Sequence, residues 1–191
     1  WIPADAAQLL PAELAIQRYP TGKPLDALIE VLRERVLPSC SAWIDQARER
    51  KIAIVGQLYA YPAGTGLSWR VDDDELAGSF IYYACPKWDV QWGGELFIAD
   101  EAARYRLPRR SIHDFGHTRD SEVLLQQGMG HFILPKPNRL VVILPGNPHK
   151  IAKIAPAAGD HVRASFSGLF IGLNGLEKFL SARRTEKGGA Q

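Results

Sequence analysis

The sequence has few cysteines, little net charge and no long apolar run. It contains only two cysteines, Cys40 and Cys85, without the spacing of a metal site. Because Cys85 ends an apolar run, we expect a buried reduced thiol there and a cytoplasmic location. The formal net charge of +2 is too small to indicate a nucleic-acid partner. No apolar run approaches membrane-spanning length, and no basic region followed by an apolar core predicts a signal peptide.

The composition that is present is that of a globular protein. Hydrophobic residues make up 46% and charged residues 23% of the 191 residues, so one sizeable core can be buried. We expect a single structural domain in three parts. These are helical support over 1–51, a β core over 52–175 with an insertion at 101–137, and a helical turn and tail over 176–191.

The N-terminal part has apolar residues at helical spacing. Residues 4–15 predict a short helix, interrupted by Pro11. Residues 25–36 predict an amphipathic helix, because their apolar side chains recur every three or four positions. We expect Pro38 and Ser39 to break this helix, and a second one, capped by Ser41, to follow through about Lys51. Both are expected to pack their apolar faces on the sheet that follows.

From Ile52 onward the sequence is β-rich, and glycines and prolines separate short runs. This series is typical of an antiparallel sandwich or small barrel of jelly-roll type, so the predicted fold class is mainly β. The charged insertion at 101–137 is expected to be a long loop, either a functional lid or a disordered segment. The predicted strands lie near 52–61, 67–71, 77–84, 94–98, 139–144, 149–154 and 161–171.

Three polar residues in this series suggest a site. Asp72 follows the run 68–71, His149 lies far downstream, and Arg163 comes later still. A non-haem Fe(II) oxygenase uses two imidazoles and one carboxylate and leaves the other metal positions for a 2-oxo acid and O₂. A His-x-Asp pair at a strand end supplies two ligands, since residues i and i+2 point to the same side. Arginine suits the far carboxylate of the 2-oxo acid through a bidentate contact.

At these residues the sequence resembles the Fe(II)/2-oxoglutarate-dependent dioxygenase superfamily, and within it the prolyl-4-hydroxylase-like group. The matching blocks extend over about residues 55–171, and their order and spacing are more specific than any single block. The blocks are Tyr61-Pro62, Gly64-Thr65-Gly66, Val71-Asp72, Ile81-Tyr82-Tyr83, Trp88-Asp89, Gly93-Gly94, Pro137-Asn138-Arg139-Leu140-Val141, Pro148-His149 and Arg163-Ala164-Ser165.

The resemblance implies a double-stranded β-helix that binds Fe(II) and 2-oxoglutarate. It implies an enzyme that uses O₂ to hydroxylate a prolyl, amino-acid or small natural-product substrate. Asp72 and His149 are then metal ligands, and Arg163 binds the C5 carboxylate of 2-oxoglutarate. The further positions that correspond to co-substrate contacts are Tyr61, Tyr83 and Ser165.

Taken one at a time, these residues have simpler interpretations. Asp72 fits a solvated acidic turn, His149 a loop position after proline, and Arg163 an exposed position on an alternating strand. A cupin-type barrel is a further alternative, although the histidine positions do not fit one well. The joint order of the blocks favours the oxygenase interpretation.

The sequence departs from the family pattern at Arg70, where the family has its first metal-binding histidine. A guanidinium stays protonated and has no lone pair, so Arg70 cannot ligate iron and is expected to pair with Asp72 instead. Three interpretations remain open. A third ligand comes from water or from His113 or His117 in the insertion. Alternatively, the chain is a non-catalytic relative that binds 2-oxoglutarate or another anion in the same pocket. The third is that Arg70 is a substitution introduced into an active parent.

Overall fold

The computed structural model describes residues 8–9, 24–40, 52–72, 76–103, 126 and 130–172. Over these residues the chain is mainly β, with an N-terminal helical layer. The strands are β1 (Gln8–Leu9), β2 (Ile52–Tyr61), β3 (Leu67–Arg70), β4 (Leu76–Tyr83), β5 (Leu96–Ala99), β6 (Gly130–Ile133), β7 (Leu140–Ile143), β8 (His149–Ile151) and β9 (Arg163–Gly172). The helices are α1 (Pro24–Val31) and α2 (Leu37–Ser39), joined by a π-helical segment at Leu32–Val36. Single 3₁₀ turns lie at Val90–Trp92, Glu101–Ala103 and Pro156–Ala158.

The strands form two antiparallel sheets. The major sheet has the order β1-β2-β9-β4-β7, and the minor sheet has the order β3-β8-β5-β6. Neighbouring strands are mostly distant in sequence, as the crossovers of a jelly roll require. The longest pairing joins β2 to β9, from Ile52 opposite Gly172 to Tyr61 opposite Arg163. This register brings the end of β2 and the start of β9 together.

Alternation along the strands divides the apolar residues between two clusters. One cluster includes Tyr61 and Leu96, from the major and the minor sheet respectively. The other joins Phe80 and Phe166 of the major sheet to Leu32 of the helical layer. The predicted packing of the amphipathic helix on the sheet is therefore confirmed.

The strand predictions are confirmed, with ends displaced by a few residues, but two strands were not expected. The helix predicted over 4–15 is wrong at Gln8–Leu9, which pair with Ala60 and Tyr59 on the free edge of β2. Pairing with an open edge outweighs the weak helical preference of a short segment that contains proline. Strand β6 lies in the predicted loop insertion and pairs with β5 at the edge of the minor sheet. Its four residues begin with glycine and are too few to give a recognisable alternation.

The predicted break of the amphipathic helix at Pro38 and Ser39 is confirmed to within a few residues, since helical backbone ends at Ser39. Cys40 and Cys85 are free and buried, as expected of reduced thiols. No helix in the described ranges is long and apolar enough to cross a membrane. The predicted segments at 41–51 and 176–191 lie outside the described residues, as do most of the predicted helix at 4–15 and most of the insertion at 101–137.

Candidate metal and co-substrate site

The residues that the sequence singles out are buried. Asp72 and His149 are each 4% exposed, and Arg163 and Ser165 are each 0% exposed. A solvated acidic turn, an exposed loop and an exposed strand position are therefore excluded for the first three. Tyr61 and Tyr83 are also buried, at 2% and 0%. A buried set this polar needs internal partners or a ligand.

Arg70, Asp72 and His149 form one group on the minor sheet. Arg70 ends β3 and lies opposite His149 of β8 in the register, and Asp72 follows two residues later. The Arg70 Nη2 donates to Asp72 Oδ1 at 3.0 Å. The His149 Nε2 lies 3.8 Å from the same oxygen. The His149 Nδ1 donates to the carbonyl of Asn147 at 2.9 Å, since a carbonyl can only accept. In the neutral ring this leaves the lone pair on Nε2, the nitrogen nearer Asp72, and a histidine held through Nδ1 in this way is common among metal-binding histidines.

The electrostatics put both potential ligands in the protonation states that bind metals. Burial lowers the pKa of His149, and this effect outweighs the opposing carboxylate of Asp72. Burial by itself raises the pKa of Asp72, but His149 and Arg70 outweigh burial and hold that pKa at about 2. At neutral pH the pair is therefore a neutral imidazole beside a carboxylate anion.

Arg163 forms the second part of the site, at the start of β9. Its guanidinium carbon lies 5.1 Å from the centre of the Tyr61 ring and 4.8 Å from that of Tyr83. None of its three nitrogens, and not the Tyr83 hydroxyl, has a hydrogen-bond partner among the described residues. The two rings stabilise the cation only in part. A buried guanidinium needs a counter-charge or hydrogen-bond acceptors, and among the described residues Arg163 has none.

Gly94 makes room for Arg163 and was assigned no role from the sequence. A Cβ at Gly94 would lie 2.5 Å from Ile154 Cδ1 and 2.8 Å from Arg163 Cδ, and the backbone φ there is +75°. Glycine is suited to both constraints. The Gly93-Gly94 pair was visible in the sequence, but its purpose depends on a contact with a strand far along the chain.

The interior face of β2 adds two residues that sequence reasoning missed. Gln57, Tyr59 and Tyr61 alternate along β2 and therefore point to the same side. The Tyr59 and Tyr61 rings stack with centres 6.2 Å apart. The Gln57 Nε2 donates to the Tyr59 hydroxyl. The sequence signal for Gln57 and Tyr59 is the two-residue alternation of a strand, counted back from Tyr61.

Two side chains of this group, Asp72 and His149, have the chemistry to bind a metal ion. Asp72 and His149 supply a carboxylate oxygen and an imidazole nitrogen, which are ligands of non-haem iron. The described part of the chain holds no group of three such side chains. Arg70, which the resemblance aligns with a histidine, has no lone pair for a metal, and His113 and His117 lie outside the described residues. The described residues therefore offer two possible ligands, one fewer than a facial triad needs.

Comparison with known proteins bears on the fold. No protein-family model and no curated protein matches the chain. A prolyl-4-hydroxylase from Pseudomonas putida is similar in structure, with a TM-score of 0.51 and 18% identity over 80% of this chain and 68% of that one. SnoK, a non-haem, α-ketoglutarate-dependent carbocyclase from nogalamycin biosynthesis, is similar with a TM-score of 0.50 and 12% identity, over 78% of this chain and 59% of SnoK.

These likenesses confirm the predicted fold class, a mainly β jelly roll. The fold is the one found in 2-oxoglutarate-dependent, non-haem iron oxygenases, and the resemblance to the prolyl-4-hydroxylase-like group holds at that level. The chain spans less than two thirds of the length of SnoK.

Proposed function

We propose that the chain is an Fe(II)- and 2-oxoglutarate-dependent oxygenase that hydroxylates a C–H bond of a prolyl, amino-acid or small natural-product substrate. The observation that carries this proposal is the fully buried Arg163 guanidinium, whose three nitrogens lack partners among the described residues. Burying an ion costs several kcal/mol, on the order of the net stability of a domain, unless a counter-charge accompanies it. A carboxylate of a bound ligand supplies that counter-charge. The similar structures are named as a prolyl-4-hydroxylase and an α-ketoglutarate-dependent enzyme, which supports the choice of ligand.

In this proposal Arg163 binds the C5 carboxylate of 2-oxoglutarate. The Tyr61 and Tyr83 rings fix the plane of the guanidinium and keep water away from it. Burial raises the pKa of Tyr83 against the opposing effect of the neighbouring Arg163 guanidinium, and the phenol would donate a further hydrogen bond to the carboxylate. Ser165 lies opposite Tyr83 in the sheet and adds a buried hydroxyl beside the same carboxylate.

Asp72 and His149 would hold the iron in this scheme. Bound Fe(II) would supply the activation of O₂ that couples the oxidation of 2-oxoglutarate to succinate and CO₂ with hydroxylation of the substrate. Arg70 orients the Asp72 carboxylate through the 3.0 Å hydrogen bond. The same guanidinium also places a positive charge beside the metal position. At about 4 Å that charge opposes a cation by about 1–4 kcal/mol per unit charge, so metal affinity is lower than with a histidine there.

The test measures succinate formed from 2-oxoglutarate in the presence of Fe(II) and O₂. Prolyl peptides, free amino acids and small apolar metabolites serve as candidate substrates. The proposal predicts 2-oxoglutarate-dependent succinate in the wild type, more in Arg70→His, and none in Arg163→Gln. Arg33→Gln removes one charge from an exposed helical position and is the matched control, with unchanged turnover expected. No succinate from the wild type or from Arg70→His with any substrate would contradict the proposal.

A further inference from the structure

A cavity outside the metal and co-substrate site lies between the chain that follows β4 and the chain that follows β6. Its volume is about 340 Å³, near the lower end of the range for small-molecule sites. The β4 side contributes Trp88 and Val90, and the β6 side contributes Phe132, Lys136 and Arg139. None of these residues belongs to the metal and co-substrate site.

The position of the cavity follows from the register of the minor sheet. Ile98 of β5 is buried in the core, so its neighbour Phe97 points to the outer face. Phe132 lies opposite Phe97, and their ring centres are 5.5 Å apart. Strand β6 then runs on past Leu96, away from His149, which lies opposite Ile98. At Phe132 the cavity is therefore on the side of the sheet that faces away from the metal ligands.

One part of the cavity wall is apolar. Val90 and Phe132 are the two most exposed large apolar side chains of the described residues, at 62% and 57%. The Trp88 Nε1 donates to the Gly93 carbonyl at 2.9 Å, which fixes the indole. An indole has no other polar atom, so the rest of the ring offers only apolar contact. Exposed apolar surface gathered at a cavity indicates a binding site.

The other part of the wall is positively charged. Arg139 donates from Nη1 to the Leu134 carbonyl at 2.7 Å, which fixes the guanidinium and leaves its other N–H donors. Lys136 is exposed, and its carbonyl accepts from the Arg139 amide at 3.1 Å. No carboxylate is among the described residues that line the cavity. The carboxylate of Asp89, nearby in sequence, accepts from the Gln91 amide at 2.9 Å.

We propose that this cavity binds a small aromatic acid, with its ring on Trp88 and Phe132 and its carboxylate at Lys136 and Arg139. A planar ring gains offset or edge contacts with aromatic side chains. A carboxylate is the anion whose shape matches an arginine fork. The volume suits one such molecule and excludes a folded partner. The inference goes beyond the proposed function, because it concerns a different set of residues.

The experiment is isothermal titration calorimetry with naphthalene-2-carboxylate, its neutral carboxamide, and acetate. The carboxylate is expected to bind at least about tenfold more tightly than the carboxamide, and acetate not detectably. Lys136→Gln should weaken the carboxylate about three- to tenfold and leave the carboxamide unchanged. Phe132→Ala should weaken both about three- to tenfold. The matched controls Lys153→Gln and Val162→Ala change exposed side chains outside the cavity and should bind like the wild type.

A second arm separates this cavity from the Arg163 pocket. Binding of naphthalene-2-carboxylate should persist in Arg163→Gln and in the presence of saturating 2-oxoglutarate. Loss of binding in either case would assign the acid to the Arg163 pocket and overturn this inference, while supporting the proposed function.

Three other results would overturn the inference without bearing on the proposed function. The first is no binding of naphthalene-2-carboxylate, and the second is equal affinity in the wild type, Lys136→Gln and Phe132→Ala. The third is binding of a peptide that has a glutamate beside a phenylalanine when the naphthalene acid does not bind, since that result indicates a protein-docking surface. Circular dichroism of each variant shows that lost binding is not lost folding.

Discussion

Replacing Arg163 by methionine removes a buried cation and keeps an unbranched side chain of similar reach. In the ligand-free protein the guanidinium is 0% exposed and has no hydrogen-bond partner in the described part of the chain. Its desolvation costs several kcal/mol. Contact with the rings of Tyr61 and Tyr83 offsets about 1–2 kcal/mol for each ring. We therefore expect Arg163→Met to raise the free energy of unfolding of the ligand-free protein by about 1–3 kcal/mol, or roughly 2–10 °C in melting temperature.

The assay is urea denaturation followed by circular dichroism, without ligand and with saturating 2-oxoglutarate. Ligand at about 100 times its dissociation constant stabilises a binding-competent protein by about 2.7 kcal/mol. The wild type should gain this stability and Arg163→Met should not. Arg139→Met is the matched control, since that guanidinium donates to the Leu134 carbonyl at 2.7 Å and its removal should destabilise the protein. A loss of more than about 1 kcal/mol in ligand-free Arg163→Met would refute the argument that Arg163 is held unpaired for a ligand.

Three other perturbations test separate parts of the site. Arg70→His should bind Fe(II) at least about tenfold more tightly, since it adds an imidazole and removes an opposing charge; equal affinities in anaerobic calorimetry would contradict this. Gly94→Ala should lose 2-oxoglutarate binding with unchanged circular dichroism, because its methyl would lie 2.8 Å from Arg163 Cδ; retained binding would show that Arg163 has room to move. The pKa of Asp72 is lowered from 3.8 to about 2, so the stability that this carboxylate contributes is fully present above about pH 5 and is lost as the pH falls through 2. Urea titrations should show about 2 kcal/mol lost by the wild type on acidification and less by Asp72→Asn, and equal losses would count against the ion pair.

The core of the fold was predictable because its strands carry strong local signals. Strand β2 is ten residues of β-rich sequence, and its observed bounds equal the predicted ones. Strands β1 and β6 were not predicted because they are stabilised mainly by pairing with the edges of β2 and β5. Those edges form only when the sheets fold, so no local sequence pattern reveals them.

The site was predictable in composition and not in geometry. The motif order singles out Asp72, His149 and Arg163, and all three are buried. The 3.0 Å bond from Arg70 to Asp72 was expected from chemistry, since a guanidinium two residues from a carboxylate on one face has no better partner. The room that Gly94 leaves for Arg163 depends on contacts between distant strands, which no local pattern encodes.

The measurement that tests the central claim most directly is an anaerobic titration of the wild-type chain with Fe(II) in the presence of 2-oxoglutarate, followed by calorimetry. The account predicts binding of Fe(II) through Asp72 and His149 with a dissociation constant of about 1–100 μM, which corresponds to about 5–8 kcal/mol. Asp72→Asn and His149→Ala should each abolish the signal. If neither the wild type nor Arg70→His binds Fe(II) in the millimolar range, Asp72 and His149 are not metal ligands, and the oxygenase assignment is wrong.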